Sequence, residues 1–528
     1  MLALSGTMLV GCTQSEYIGE APQQNGKIVF SGASGKMTRA TSNTGSCAEM
    51  LDKQIEFYGV KNTNGTYSTV FNNYVLWSEG GETTSNPDGD WEYVGPETQK
   101  YGSDNKTIGK AQYIKYWDYS ASEYNFVAGS PVEAFTYNVT DDNKIVSATV
   151  TGIAGHLNPS NTKITTNPIY IANPVKVAKA DYDNPVTFNF VRQQSFVRVG
   201  VFETIPGYKI TAINFYQYNA DNKSWDASPY SEQNIILASA SKDYFTGATN
   251  ATAVVEYDWT KEVPSYTFAY TSAMTQQNNW FGGKLSGVPA TTSTEATVAN
   301  LYGTDGDMAA DNGYFTVIPT ATATIAAPLL VKCDYTLTAL DGAETIKVTG
   351  ATAAIPAAYA KWAQNTSYTY LFKISDNTNG TTGGSTDPEG LFPITFNAAV
   401  VEVADGTAQG TVTTVSTPSI TTYQQGFANK NGNKYVPGTI YVTAQNDETG
   451  VLYGATDIKV FKLDGAKTEA DLILTAPVTG VATTSTGATV DGITYKANEY
   501  VSFEAATGYY AIQVAYDAAY QYKVVEVK

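Results

Sequence analysis

Apolar and polar residues alternate with a period of two along many short segments of this chain. In residues 510–516 the even-numbered positions are Tyr, Ile, Val and Tyr, which gives a half-buried strand one apolar face. Turn-forming clusters such as residues 86–90, Asn-Pro-Asp-Gly-Asp, separate these segments. Short strands with regular turns between them predict an all-β protein built from β-sandwiches.

The alternation predicts strands in three successive regions of the chain. We expect an N-terminal β-sandwich at residues 40–195, a second β-sandwich at 196–396 and a C-terminal β domain or extension at 397–528. The predicted strands are Lys27–Ser31, Gln54–Val60, Tyr74–Trp77, Trp91–Tyr93, Ala111–Trp117, Tyr124–Ala128, Val186–Val191, Phe196–Phe202, Lys209–Tyr218, Tyr368–Ile374, Phe392–Phe396, Tyr509–Tyr516 and Tyr520–Val527.

Composition supports strands and excludes some partners. Charged residues are only 16% of the 528, and the chain is rich in Thr, Val and Tyr, which fit a pleated surface. The formal net charge is −18, so phosphate backbones repel the chain and nucleic acid is not an expected partner. A simpler explanation of the negative charge is that it keeps the protein soluble.

Residues that carry catalytic or metal chemistry are scarce. One histidine, His156, and three cysteines without a Cys-x-x-Cys pair exclude a His/Cys metal cluster. Asp305, Asp307 and Asp311 weakly suggest Ca²⁺ ligands, but their spacing does not match an EF-hand loop. A glycoside hydrolase with two catalytic carboxylates remains an alternative, although no local sequence context favours a particular pair. We therefore expect no enzyme activity, no cofactor and no metal.

The first residues have the pattern of a processed lipoprotein signal. Residues 1–11 are short and apolar, and Leu9-Val10-Gly11 precedes Cys12, as in a bacterial lipobox. This pattern predicts a signal peptide at residues 1–12 and a lipid anchor on Cys12, whose acyl chains would hold the protein on a membrane. A cysteine that follows an apolar run by chance is the alternative.

Several motifs, taken in order, carry a resemblance to a known family. They are the lipobox at Cys12, Thr38-Arg39-Ala40 after a short apolar strand, Trp77, Trp91 and Tyr116-Trp117 in Tyr/Asn-rich strands, Trp362 before Asn365–Ile374, and Phe392–Val401. In this order the chain resembles the fimbrillin family, the subunits of type V pili of Bacteroidales. The similarity covers about residues 9–425, and the last hundred or so residues extend beyond it.

The resemblance implies a fold, a location and an assembly route. It implies tandem transthyretin-like β-sandwich domains and a palmitate-bearing lipoprotein precursor at the outer membrane. It also implies that a protease cuts after Arg39, so that Ala40 starts the mature chain and residues 13–39 are a tether and propeptide strand. A strand from another pilus subunit then fills the groove, in many members with its C-terminal segment. The implied partners are thus other pilus subunits and a host or bacterial surface ligand.

The positions of the arginines agree with this processing scheme. The chain has three arginines, and Arg192 and Arg198 lie in strongly β-forming runs that would hide them from a protease. Arg39 lies in a Gly/Ser/Thr-rich stretch, where cleavage concentrates. Arg39 as an ordinary exposed residue remains an alternative. The C-terminal Tyr-rich run is equally compatible with a donated strand and with the last strand of its own domain.

The sequence is therefore compatible with three functions. The first is a structural or adhesive subunit of a cell-surface fimbria, assembled by protease-triggered strand exchange. The second is a monomeric outer-membrane surface lipoprotein that binds glycans or host ligands through loop aromatics such as Trp280. The third, more distant, is a secreted carboxylate-dependent hydrolase. The tryptophans are expected to be mainly core anchors.

Overall fold

The structure is a computed structural model. It describes residues 26–31, 51–78, 85, 91–102, 105–153, 168–203, 207–216, 218–219, 224–229, 234–239, 251–271, 280–284, 315–317, 319, 329–355, 362–374, 381–382, 397–403, 411–416, 418–426, 434–446, 450–467, 472, 476–516 and 519–528.

Most of the described residues lie in strands, which confirms the predicted all-β class. A three-residue 3-10 helix at Lys179–Asp181 interrupts the strands. Within the described ranges, no helix is long and apolar enough to cross a membrane.

Thirteen strands are described between residues 26 and 192. They are β1 (Phe30–Ser31), β2 (Gln54–Thr63), β3 (Thr66–Ser78), β4 (Trp91–Glu92), β5 (Lys100–Tyr101), β6 (Lys106–Thr107), β7 (Glu123–Ser130), β8 (Phe135–Val139), β9 (Ile145–Ile153), β10 (Tyr170–Ala172), β11 (Val175–Ala178), β12 (Val186–Thr187) and β13 (Phe190–Arg192).

The following region contains β14 (Ser195–Glu203), β15 (Tyr208–Phe215), β16 (Tyr218–Asn219), β17 (Ser224–Trp225), β18 (Asn234–Ser239), β19 (Ala251–Asp258), β20 (Ser265–Tyr270), β21 (Trp280–Lys284), β22 (Phe315–Val317), β23 (Leu329–Ala339), β24 (Thr345–Ile355), β25 (Ser367–Ile374), β26 (Thr381–Thr382), β27 (Asn397–Val403) and β28 (Thr411–Ser416).

The last region contains β29 (Pro418–Gln424), β30 (Lys434–Tyr435), β31 (Gly438–Asn446), β32 (Ile458–Leu463), β33 (Thr479–Val481), β34 (Ala488–Val490), β35 (Ile493–Tyr495), β36 (Val501–Ala505), β37 (Gly508–Tyr516) and β38 (Ala519–Val527).

The N-terminal region is built around one central sheet that is buried on both faces. Its strand order is β13-β10-β7-β2-β3-β4, with β11 also paired to β7. Side chains alternate between the faces along β2, so Phe57 enters one core and Tyr58 and Val60 enter the other. The second core is closed by the sheet β20-β19-β9-β8. The first core contains residues Ile28 and Phe30 from the start of the described chain.

Two sheets join strands from both sides of predicted domain boundaries. Strand β19 pairs with β9, across the boundary at residues 195 and 196. Strand β27 pairs with β25, across the boundary at residues 396 and 397, in the sheet β22-β14-β25-β27-β28. Strand pairing follows free hydrogen-bonding edges rather than sequence order. The domain bounds themselves stay a prediction.

The C-terminal region forms a separate sandwich of two sheets. One sheet has the order β29-β31-β36 and the other β30-β38-β37-β32-β33. Side chains from both sheets, including Ile440, Val442, Phe503, Ile512 and Val525, are buried in one core between them. Apart from β29, this sandwich lies in the part of the sequence that extends beyond the family resemblance.

The strand predicted at Ala111–Trp117 is wrong. The segment is extended, but it makes only isolated bridges, from Gln112 to Gly95 and from Tyr116 to Lys27. The side chain of Gln112 replaces a strand ladder: its Oε1 accepts from the Val75 amide at 2.8 Å, and its Nε2 donates to the Val75 and Tyr93 carbonyls. A buried amide thus satisfies backbone groups that a neighbouring strand would otherwise pair.

Candidate functional site: the slot that holds the N-terminal strand

Residues 26–31 lie in a slot between two backbone walls. On one side the Ile28 amide donates to the Lys115 carbonyl at 2.9 Å, and the Trp117 amide donates to the Gly26 carbonyl at 2.8 Å. On the other side β1 runs parallel to β12, and the Val186 amide donates to the Val29 carbonyl at 2.9 Å. We call residues 115–117 and β12 the two walls of the strand slot.

The floor of the strand slot is an aromatic pocket around Phe30. The Phe30 ring is 1% exposed, and its centroid lies 4.6 Å from that of Phe57 and 5.7 Å from that of Phe188, on which it stacks. Further rings meet it edge-on, namely Phe71, Tyr93 and Phe126. Offset and edge-on contacts are the favoured geometries of aromatic pairs and add to the stabilisation that burial supplies.

A buried tyrosine links the inserted segment to one wall. The Tyr93 hydroxyl donates to the Ile28 carbonyl at 3.0 Å and accepts from the Lys115 amide at 3.1 Å. Burial raises the pKa of the Tyr93 phenol well above its usual range, so the hydroxyl keeps its proton. The alternation of apolar and polar residues does not indicate this role, because the role depends on two segments that are distant in sequence.

Every described residue that builds the strand slot lies C-terminal to Arg39. The walls begin at Lys115 and Val186, and the pocket rings begin at Phe57. The segment in the slot ends at Ser31, eight residues before Arg39. A single cut after Arg39 would therefore separate the occupant covalently from its slot while leaving all of these residues in one chain.

The predicted modification residues are outside the described chain. Cys12, Arg39 and Ala40 fall there, as do His156 and the acidic turn from Asp305 to Asp311. The other two arginines lie in strands as predicted, Arg192 at the end of β13 and Arg198 within β14. Among the described residues, no group of three or more His, Cys, Asp or Glu side chains could hold a metal ion.

Most of the predicted tryptophan anchors are in cores. The residues that are at most 9% exposed are Trp77, Trp91, Trp117, Trp259 and Trp362. Trp117, which belongs to one wall of the strand slot, stacks on Tyr182 at a centroid distance of 4.7 Å. Trp280, which was predicted to lie in a loop, instead begins strand β21.

The C-terminal strand is held within its own sandwich. Strand β38 pairs with β37 over nine residues, from Ala519 to Val527. Lys523 is 3% exposed, and its Nζ donates to the Ile420 carbonyl of the opposite sheet at 3.2 Å. Of the two interpretations left open by the sequence, the structure has the one in which this run closes its own domain.

A buried carboxylate lies in the N-terminal sandwich. Glu56 on β2 is 5% exposed and accepts from the Glu133 amide at 2.8 Å. Burial raises the pKa of the Glu56 carboxyl to about 7, although the Glu133 amide and Lys110 act in the opposite direction. The folded state therefore binds a proton that the unfolded chain releases near pH 4.5.

We expect Glu56→Gln to change how the stability of the N-terminal sandwich depends on pH. Because the folded pKa is raised, the contribution of Glu56 is most favourable below about pH 4.5 and is lost as pH rises through 7. The loss is of the order of 3 kcal/mol at most. Glutamine stays neutral, so the variant should be more stable than the parent at pH 8 and similar at pH 4.

Hydrogen exchange of β2 and β7 at both pH values measures this difference. Glu97→Gln is the matched control, because Glu97 is exposed in the same region. Equal pH profiles for the parent and the Glu56 variant would contradict the expectation.

Two aromatic side chains are exposed beside the strand slot. Tyr113 is 67% exposed and Tyr116 is 52% exposed, both on the segment that carries one wall. Large exposed aromatics that lie close together in sequence are candidate contact points for a partner or ligand.

No family model and no curated protein matches the chain. A candidate cell adhesion protein from Bacteroides uniformis is 13% identical, with a TM-score of 0.27 over 68% of this chain and 98% of its own. One from Parabacteroides distasonis is 11% identical, with a TM-score of 0.28 over 72% and 97%. At these values we base no argument on the likeness.

Proposed function

We propose that this chain is a structural and adhesive subunit of a cell-surface fimbria, exported as an outer-membrane lipoprotein and assembled by strand exchange after a cut at Arg39. One observation carries the proposal: Ile28 and Phe30, at 0% and 1% exposure, form part of a core whose other described residues all lie beyond Arg39. The fimbrillin-like order of motifs supports the same proposal. The role is structural rather than catalytic.

The physical consequence of the cut is an open hydrogen-bonding edge. Loss of residues 26–31 would leave the Trp117 and Val186 amides without their present acceptors, and it would expose the ring pocket of Phe57 and Phe188. Unpaired edges beside an apolar slot are templates for strand addition. A strand from another subunit would restore both the hydrogen bonds and the burial.

The test is the N-terminus of the surface-exposed protein, measured by mass spectrometry of sheared material. We expect Ala40 as the mature terminus of the parent, and retention of residues 13–39 in Arg39→Ala and Arg39→Lys, since an arginine-specific protease distinguishes the two basic side chains. The variants should also lose assembly into high-molecular-weight, detergent-resistant forms. Lys36→Ala is the matched control and should be processed normally.

A second function is favoured by the exposed Tyr113 and Tyr116. Aromatic side chains of this kind would suit a monomeric surface lipoprotein that binds glycans or host ligands. The same measurement separates the two proposals: a lipidated Cys12 as the sole terminus, with no larger assemblies, would overturn strand exchange and leave the binding lipoprotein.

A further inference from the structure

The pattern of side chains in the strand slot defines what kind of strand can replace its occupant. Ile28 and Phe30 both point into the core, while Val29 between them is only half-buried. Gly26, two residues before Ile28, is buried as well. The occupant therefore has a small, an aliphatic and an aromatic residue at alternate positions on its buried face.

The position of Phe30 is the most closely packed one in the slot. Five rings meet Phe30 with centroid distances between 4.6 and 6.0 Å, so a small side chain there would leave a cavity lined by aromatic atoms. Interiors pack at crystal-like density, and such a cavity is not filled by small shifts of its lining. The slot should therefore bind strands with a small side chain at the position of Phe30 much more weakly. A change of side chain at the position of Val29 should have little effect.

The backbone of the strand slot also fixes the direction of the incoming strand. The segment runs antiparallel to residues 115–117, through the bridge between Lys27 and Tyr116, and parallel to β12. A strand inserted in the reverse direction would present its aromatic residue before its aliphatic one. The order from N- to C-terminus is thus aliphatic, any residue, aromatic.

The last strand of this chain does not meet these requirements. Within Ala519–Val527, no aliphatic residue is followed two positions later by an aromatic one, and Tyr522 and Val524 have the reverse order. The strand is also held in its own sandwich by its pairing with β37 and by the hydrogen bond from the buried Lys523. Val514 and Tyr516 have the required order, but they belong to β37, which lies between β32 and β38.

We infer that the strand slot accepts a strand of another subunit that carries a small-x-aliphatic-x-aromatic pattern, and that Ala519–Val527 of this chain is not such a strand. The inference rests on the proposed function, since it requires the slot to be vacated.

The experiment uses the full chain, cut after Arg39 with an arginine-specific protease, unfolded in urea and diluted into excess labelled peptide. The peptides carry the sequence of residues 22–33, the same sequence with Phe30→Ala or with Val29→Ala, and the sequence of residues 517–528. Peptide retained after size-exclusion chromatography is titrated to give relative affinities.

We expect the parent and Val29→Ala peptides to bind within a few-fold of each other. The Phe30→Ala peptide should bind about 100-fold more weakly or worse, as for loss of a buried aromatic ring. The peptide of residues 517–528 should not bind.

Each contrary result has its own meaning. Equal binding of the Phe30→Ala peptide would overturn the selectivity and leave strand exchange standing. Tight binding of the peptide of residues 517–528 would overturn the exclusion of this strand as a donor. Failure of every peptide to displace the original fragment would overturn the proposed function, and the inference with it.

Discussion

Phe30→Ala in the uncut chain is expected to lower the unfolding free energy of the N-terminal sandwich by about 3–5 kcal/mol. The ring is buried among Phe57, Phe71, Tyr93, Phe126 and Phe188. Its removal loses both the transfer energy of an aromatic side chain and the contacts of the cavity it leaves. The ring belongs to a two-residue strand, which has few ladder hydrogen bonds of its own.

Hydrogen exchange resolved by peptide is the suitable measurement, because the other regions unfold separately from the N-terminal one if their cores are independent. Protection of β2 and β7, which supply Phe57 and Phe126, should fall in the variant. Protection in β37 and β38 should be unchanged. Val29→Ala is the matched control and should cost less than about 1 kcal/mol, since Val29 is only half-buried. Equal losses for the two variants would show that the slot is not a packed site.

Gly129→Ala is expected to destabilise the same sandwich by about 3 kcal/mol. A Cβ atom at Gly129 would lie 2.3 Å from Cζ of Phe135, far inside van der Waals contact. Phe135 is 3% exposed and packed in the second core, and Gly129 pairs with Glu56 on one side and Ile171 on the other. Neither the ring nor the central strand can move freely, so the clash becomes strain.

A double-mutant cycle tests whether the Phe135 ring is the cause. Phe135→Ala alone should be costly, but Gly129→Ala added to it should cost little, because the space it needs is then empty. Gly480→Ala is the control, since nothing lies within 4 Å of the added Cβ there. Additive losses in the cycle would contradict a clash between the two residues.

Individual strands could be predicted from the sequence better than the strands with which they pair. The runs at Gln54–Val60 and Tyr124–Ala128 are strands, as alternation predicts, and they occupy the centre of the main sheet. The run at Ala111–Trp117 has a similar pattern but is no strand. Periodicity reports which face of a segment is buried, and an extended segment against a core has the same periodicity as a strand in a ladder.

The candidate site shows the same contrast between local features, which the sequence predicts, and contacts between distant residues, which only the structure shows. The short apolar run at Lys27–Ser31 could be read from the sequence, and so could an arginine placed shortly after it. That the run ends in a pocket of five rings, held by the Tyr93 hydroxyl between two walls, could not be read. These contacts join residues separated by up to about 160 positions, as Phe30 and Val186 are.

By itself, the sequence determined the all-β class, the turns, the acidic surface and the scarcity of groups for metal or histidine chemistry, because these depend on composition and local spacing. Only the tertiary structure decided that β19 joins the N-terminal sandwich, that the last strand closes its own domain and that residues 26–31 fill a core built by later residues. Those outcomes depend on which hydrogen-bonding edges and apolar faces meet in space, and strands of similar composition compete for the same edges.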